Sequence, residues 1–308
     1  MASDVTSEEE PNRMAKHPRQ LSGKTAVVTG GARGIGRAIT EALIAKGVRV
    51  AIGDVDREAA ERTAAELGDA VVGLGLDVTD LAGFSAFLDD VERRLGPIDV
   101  LVNNAGIMPI TPLEEESEAS ITRQLEINLR AVIHGTQEAM RRMRPRGTGH
   151  IVNIASLAGK GGYPNLATYS ATKHAVVGLS EAARFELKGS GVEVSCVMPG
   201  LVNTELTSGM QEARGVKNLT PQQVAAEVVS ALELPRFDVY VPRSTGPLLK
   251  LAGILPRRAR EALAHVMRAD QVAVTVDKSK RAAYESRVAA SGPTADKVAE
   301  VQLDKEAA

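Results

Sequence analysis

The chain is poor in cysteine and in long apolar runs, and each shortage excludes a class of protein. Its one cysteine, Cys196, cannot form an intramolecular disulfide. No apolar run approaches the ~20 residues that a membrane-spanning helix needs. The first 20 residues lack the apolar core of a secretory signal. We therefore expect a cytoplasmic protein without a transmembrane span, in which residues 1–20 form a disordered tail.

Strong charge of either sign is also absent, because 37 basic and 39 acidic residues leave a net charge of −2. A chain with this charge balance lacks the excess of basic residues that is typical of nucleic-acid-binding proteins, so no nucleic acid is expected as a partner. The five histidines show no metal-ligand spacing, and no metal site is predicted. What is present in quantity is apolar residues, 44% of 308, enough for a large globular core.

Short apolar runs alternate with longer helical patterns between residues 21 and 242. This alternation is typical of right-handed β-α-β units, which build a parallel sheet with helices on both faces. Strands are predicted at 25–29, 49–54, 70–77, 100–103, 150–155, 193–197 and 238–241, and helices at 36–46, 57–67, 83–95, 119–143, 168–188 and 221–232. We predict an α/β fold with one domain over 21–242. A helical extension with a frayed end follows over 243–308.

A glycine-rich turn follows the first predicted strand in Thr29-Gly-Gly-Ala-Arg-Gly-Ile-Gly36. Its glycines permit a tight turn and close approach to a pyrophosphate, and the helix N-terminus offers free N–H groups. Asp54 ends the second predicted strand, where a carboxylate can accept hydrogen bonds from ribose hydroxyls. These features predict a dinucleotide site that favours NAD, because a 2′-phosphate would desolvate that carboxylate. Arg33 keeps NADP possible, since it could reach the phosphate.

Tyr169 and Lys173 stand four residues apart in a predicted helix and therefore share one face. A phenol with an ordinary pKa near ~10 exchanges protons poorly at neutral pH, and a nearby positive charge favours its anion. Alone the pair is a weak signal, because many such pairs are solvated surface. Ser156, at the C-terminal tip of the fifth predicted strand, can converge with Tyr169 on one substrate oxygen.

Together these residues resemble the short-chain dehydrogenase/reductase family. The matching motifs follow the family's order and spacing: Thr29-Gly-x-x-x-Gly-x-Gly36, Asp77-Val78, Asn103-Asn-Ala-Gly106, Asn128, Ser156, Tyr169-x-x-x-Lys173 and Pro199-Gly200. The resemblance implies a Rossmann-type, doubly wound, seven-stranded parallel sheet of order 3-2-1-4-5-6-7. It also implies an NAD(P)-dependent oxidoreductase acting on CH–OH groups, assembled as a homodimer or homotetramer.

The resemblance also implies a role for each site residue. Tyr169 would be the general acid/base and Ser156 would orient the substrate. Lys173 would lower the pKa of the tyrosine and bind the nicotinamide ribose. Asn128 would hold a water for a proton relay, whereas Asn103 and Asp99 would be structural. Cofactor contacts are expected from Gly30, Arg33, Gly34, Ile35, Gly36, Asp54, Asp77, Val78, Asn104, Ala105, Gly106, Tyr169, Lys173, Pro199, Gly200, Val202 and Thr204.

The substrate pocket is predicted from the residues that surround Ser156 and Tyr169. A substrate loop is expected over 203–220, and the proposed lining is mostly apolar: Met108, Leu157, Leu201 and Met210. This lining favours a lipophilic secondary alcohol or ketone, such as a steroid, retinoid or terpenoid alcohol. The alternatives are an NADPH-dependent carbonyl or 3-oxoacyl carrier reductase, and a catalytically silent dinucleotide-binding sensor or scaffold.

Two further expectations concern surfaces. Segment 246–260 joins several leucines to Lys250, Arg257 and Arg258. It could cover the substrate entrance, contact another subunit or lie on a membrane surface. Small and apolar residues on the outward face of the Tyr169 helix suit close helix packing between subunits: Ala175, Gly178, Ala182 and Phe185.

Overall fold

The computed structural model describes residues 18–210, 217–266, 271–274 and 276–290. Seven strands form one sheet in the order β3-β2-β1-β4-β5-β6-β7, and all neighbouring strands are parallel. The strands are β1 (Thr25–Thr29), β2 (Arg49–Asp54), β3 (Val71–Gly75), β4 (Val100–Asn103), β5 (Gly149–Ile154), β6 (Val192–Pro199) and β7 (Asp238–Val241). The predicted fold class and strand order are confirmed.

Helices cover both faces of the sheet because the strands are apolar on both sides. The bounds are α1 (Gly34–Ile44), α2 (Arg57–Leu67), α3 (Leu81–Leu95), α4 (Glu118–Leu125), α5 (Ala131–Met143), α6 (Ala167–Glu186) and α7 (Pro221–Glu233). On one face, α1, α2 and α7 bury residues such as Ile39, Ala60 and Val228. On the other face, α3 and α5 bury Phe84 and Met143.

The largest difference from the predicted elements lies in the helix expected over 119–143. A π-helical turn at Glu126–Arg130 separates α4 from α5 and contains the buried Asn128. Such turns often lie at functional sites, and apolar periodicity does not reveal them. The third strand is also shorter than expected. Asp77 lies in the turn that follows it, where its Oδ1 accepts a hydrogen bond from Thr79 N (2.9 Å).

The extension after β7 contains α8 (Thr245–Ile254), α9 (Arg257–Val266) and α10 (Lys278–Ala290). Residues 1–17, most of the predicted N-terminal tail, lie outside the described residues. So do residues 291–308, most of the predicted frayed end, and residues 211–216 of the expected substrate loop. Within the described ranges, none of the helices combines the length and apolarity needed to cross a membrane.

Candidate active site

A cavity of about 590 Å³ opens at the carboxyl edge of the sheet, where an open parallel sheet binds its ligands. Two predicted site residues, Gly36 and Asn128, lie behind its lining. The other predicted site residues line it: Gly30, Arg33, Gly34, Ile35, Asp54, Asp77, Val78, Asn104, Ala105, Gly106, Met108, Ser156, Leu157, Tyr169, Lys173, Pro199, Gly200, Leu201, Val202, Thr204 and Met210. One continuous space therefore contacts the glycine-rich turn and the Tyr169 region.

Ser156, Tyr169 and Lys173 all line this cavity. Ser156 follows β5 and caps a short 3₁₀ helix, with its Oγ accepting from Ala158 N (3.1 Å). Tyr169 and Lys173 lie on the buried face of α6, and the Lys173 ammonium lies 5.7 Å from the centre of the Tyr169 ring. The lysine is held there because its Nζ donates to Ile154 O (2.9 Å).

Burial dominates the proton affinity of this pair. It raises the pKa of Tyr169 to about 12, and a hydrogen bond with Ser156 acts in the opposite direction. Burial also lowers the pKa of Lys173 to about 8. In the protein alone, burial keeps the pKa of Tyr169 above its ordinary value, and the role of Lys173 in lowering that pKa stays a prediction. An additional positive charge in the cavity, such as that of an oxidised nicotinamide, would favour the phenolate.

Asn128 braces the segment that follows β4. Its Oδ1 accepts from Ile107 N (2.8 Å) and its Nδ2 donates to Ile107 O (2.8 Å). A longer contact joins Nδ2 to Thr172 Oγ1 on α6 (3.4 Å). These bonds occupy the amide. The geometry therefore gives its side chain a supporting function, and the water-holding role that the resemblance implies for Asn128 stays a prediction.

The glycine-rich turn is tied to the end of β4 by side chains. Asn104 Nδ2 donates to Thr29 O (2.9 Å) and Gly30 O (3.1 Å). In return, Thr29 Oγ1 accepts from the backbone N–H groups of Asn104 and Ala105, both at 3.0 Å. Gly36 packs behind the turn, where a Cβ would lie 2.1 Å from Gly30 O. The N–H groups at 104 and 105 therefore donate within the protein, while both residues line the cavity where cofactor contacts are predicted.

Two carboxylates mark the end of the cavity next to β2. Burial raises the pKa of Asp54, while hydrogen bonds from the backbone of Asp56 and Ala32 and the charge of Arg33 oppose it. Arg33 forms an ion pair with the carboxylate of Asp56. Asp56 was missed by the sequence analysis, although its position two residues after Asp54 at a strand end was an available signal.

The other end of the cavity is apolar, and the extension builds part of it. The predicted residues Met108, Leu157, Leu201 and Met210 lie there, together with Leu206. The extension adds Leu248 and Leu249 of segment 246–260, for which a covering role was one expectation. It also adds residues that the sequence analysis did not select: Thr245, Val272, Tyr284, Arg287 and Val288. One signal was available, because Tyr284 is the only aromatic residue after Tyr240 and stands in a polar, alanine-rich stretch.

Within the described ranges, no group of three His, Cys, Asp or Glu side chains is arranged to hold a metal ion. His150 is instead part of the core below the sheet edge. Its Nε2 lies 2.8 Å from Ser195 Oγ. Because that hydroxyl donates to Arg236 O (2.6 Å), the imidazole N–H is the donor to Ser195.

Comparison with known proteins agrees with this geometry. A family model described as short chain dehydrogenase matches residues 24–215. The chain is 42% identical to a sorbitol dehydrogenase of Cereibacter sphaeroides over 62% of this chain and 75% of that protein. It is 40% identical to a 3-alpha-(or 20-beta)-hydroxysteroid dehydrogenase of Mycobacterium bovis, covering 63% of this chain and 74% of that protein.

A solved structure shows the same architecture. A short chain dehydrogenase/reductase from Burkholderia phymatum in complex with NAD superposes with a TM-score of 0.70 at 28% sequence identity. The match covers 76% of this chain and 94% of that one.

Proposed function

Because this chain belongs to the short-chain dehydrogenase/reductase family, we propose that it interconverts a lipophilic secondary alcohol and its ketone with NAD. At the coarser level it is an NAD(P)-dependent oxidoreductase that acts on CH–OH groups. One observation supports the proposal of a lipophilic substrate. The cavity that contacts the glycine-rich turn and Tyr169 continues into a largely apolar space bordered by Met108, Leu157 and Met210.

In the proposed chemistry, the protein's side chains transfer the proton of the substrate hydroxyl group. In alcohol oxidation, the Tyr169 phenolate takes the hydroxyl proton while Ser156 donates a hydrogen bond to the same oxygen. Lys173 is fixed beside the tyrosine by Ile154 O, and its charge favours the phenolate. A bound nicotinamide would supply the hydride acceptor for alcohol oxidation and the hydride donor for ketone reduction.

The charges next to β2 support a preference for NAD over NADP. Asp54 and Asp56 both lie at this end of the cavity. A dianionic 2′-phosphate there would face two carboxylates, which is costly in a partly desolvated site. Arg33, the cation that could offset this cost, is already paired with Asp56.

The apolar lining supports a lipophilic substrate over a polyol. Relatives include both a sorbitol and a hydroxysteroid dehydrogenase, so family membership alone does not decide the class. A polyol needs several hydrogen-bonding groups around its carbons, whereas the wall made by Leu206, Leu248 and Val272 offers apolar surface. Leu248 and Leu249 of α8 line the cavity, which supports a covering role for segment 246–260.

The assembly is proposed to be a homodimer or homotetramer. The outward face of α6 exposes Gly178 and Ala182, and Phe185 retains 62% of its accessible surface. An exposed aromatic ring next to small residues suits close packing of α6 against a second copy. The free thiol of Cys196 is buried, and we propose a cytoplasmic location, where thiols stay reduced.

A substrate panel tests the proposed function. Turnover of cyclohexanol, 2-decalol, androsterone and sorbitol is measured with NAD and with NADP. We expect the highest kcat/KM for an apolar alcohol with NAD. Preference for sorbitol would refute the lipophilic class, and preference for NADPH with ketones would favour the reductase alternative. Tight dinucleotide binding without turnover of any member would favour the silent sensor.

A further inference from the structure

Arg281 of α10 is a fully buried cation that joins two loops at the substrate end of the cavity. Its side chain is 0% exposed. Its Nη2 donates to Met108 O (2.8 Å), in the segment after β4. Its Nη1 donates to Leu206 O (2.8 Å) and Ser208 O (3.2 Å), in the loop after β6. Only the planar, multiply donating guanidinium can reach both loops from one position.

Tyr284, one turn further along α10, forms part of the cavity wall. Its hydroxyl accepts a hydrogen bond from Met108 N (2.8 Å), and the guanidinium of Arg281 stacks 5.0 Å from the centre of its ring. The ring packs with Ile107 and Val288 in one apolar cluster. Arg281 and Tyr284 therefore bind both the N–H and the C=O of Met108, a residue that itself lines the cavity.

Further bonds fasten the same segment to the surrounding loops. Asp277 N donates to Gly209 O (3.0 Å), and Ser208 Oγ donates to Lys280 O (3.0 Å). On the side of α6, Asn165 Nδ2 donates to Ala273 O (2.9 Å). These bonds attach the segment both to the loop after β6 and to the residues just before α6.

We propose that residues 271–274 and 276–290 contribute the outer wall of the substrate pocket, with Tyr284 as a residue that determines substrate size. Arg281 is the positioning residue that holds this wall against the two loops. This inference rests on the proposed function, because it assigns the apolar cavity to the substrate. It predicts that the chain selects among apolar alcohols by their bulk beyond the carbinol carbon.

The physical cost of losing Arg281 makes its positioning role testable. Its guanidinium donates to the buried carbonyl group of Met108 and to the partly buried carbonyl groups of Leu206 and Ser208, and a buried polar group without a partner is costly. Lysine at this position keeps the charge but cannot span the carbonyls of both loops. Arg281→Lys should therefore loosen the loop at 204–210 without removing any group that contacts the dinucleotide.

One variant and a matched control test the wall. Tyr284→Ala removes the ring, and Ser286→Ala changes an exposed residue of the same helix. The ratio of kcat/KM for 2-decalol to that for cyclohexanol should rise at least about tenfold in Tyr284→Ala, the scale of hydrophobic pocket discrimination. It should stay at the wild-type value in Ser286→Ala. An unchanged ratio in Tyr284→Ala would overturn the size-determining role.

Hydrogen–deuterium exchange supplies a readout that does not need turnover. The amides of residues 204–210 should exchange at least about tenfold faster in Arg281→Lys than in wild type. In the wild-type protein, local opening of this loop must break its bonds to Arg281, and in the variant those bonds are already lost. KM should rise with kcat changed less, while the Kd for NAD stays constant. Exchange at the wild-type rate would overturn the positioning role. If the wild-type protein turns over no alcohol, the proposed function fails, and the exchange result still decides whether the segment closes the cavity.

Discussion

The ammonium of Lys173 lies 5.7 Å from the centre of the Tyr169 ring and is anchored by Ile154 O. Both side chains are almost completely buried, at 4% and 7% exposure. Burial raises the pKa of the phenol to about 12 and lowers that of the ammonium to about 8. Near pH 7 the phenol is therefore neutral unless another positive charge lies close to it, whereas the ammonium of Lys173 remains largely protonated.

Lys173→Met tests the electrostatic part of this relationship. Methionine fills a similar volume without the charge, so the phenolate loses a stabilising neighbour. We expect kcat/KM for alcohol oxidation to fall by about 10²-fold or more at pH 7. The rising limb of the pH–rate profile should move to higher pH, because the tyrosine then ionises less readily. A variant with an unshifted profile would contradict the role of the charge.

The carboxylates of Asp54 and Asp56, next to β2, predict that the protein prefers NAD over NADP. Asp54→Ala removes the carboxylate that ends β2, and discrimination against NADP should fall by about tenfold or more. Asp56→Ala should add to this effect, because it releases Arg33 to meet a 2′-phosphate. The measurement is kcat/KM with NAD and NADP for each single variant and for the double variant. An unchanged preference in Asp54→Ala would refute the assignment of NAD specificity to this residue.

Gly36→Ala tests the packing behind the glycine-rich turn. The added Cβ would lie 2.1 Å from Gly30 O and 2.7 Å from Asn104 Nδ2, so the turn must shift. We expect a loss of roughly 1–3 kcal/mol of stability and weaker NAD binding, measured by urea unfolding and titration. Gly253→Ala is the control, because its Cβ meets nothing within 4 Å on exposed α8. Equal effects of the two substitutions would contradict this packing.

The burial of His150 predicts that the folded protein loses stability at acidic pH. Burial lowers its pKa to about 3 from an ordinary 6.5, so between these values the unfolded chain binds a proton that the folded protein does not. Stability contributed by this group is therefore present above about pH 6.5 and is lost as the pH falls. At pH 5 the loss is about 2 kcal/mol. His150→Gln cannot titrate, and its unfolding free energy should fall by that much less between pH 7.5 and pH 5. Identical pH dependence in both proteins would contradict the assignment.

Much of the fold and the inner site follows from local sequence patterns. β1, β2, β4 and β7 have the predicted bounds because each is a short apolar run between polar turns. The glycine-rich turn and Ser156, Tyr169 and Lys173 line one cavity, since the carboxyl ends of parallel strands meet at one edge.

The remainder depends on contacts that no local pattern contains. Arg281 binds the carbonyl oxygen of Met108, which lies 173 residues earlier in the chain. No sequence pattern near Arg281 indicates this partner. The π turn at Asn128 needs one extra residue in a helix that looks regular from its apolar spacing. The effect of burial on the pKa of Tyr169 is hidden for the same reason, because a motif shows neighbouring charge and not burial.

Turnover of Tyr169→Phe tests the central claim most directly. The substitution removes only the hydroxyl oxygen, and Ser156 and Lys173 keep their backbone anchors. We predict a fall in kcat of at least about 10³-fold on the best apolar alcohol, with the Kd for NAD changed less than about threefold. A Tyr169→Phe protein that kept full turnover would contradict the assignment of proton transfer to this residue.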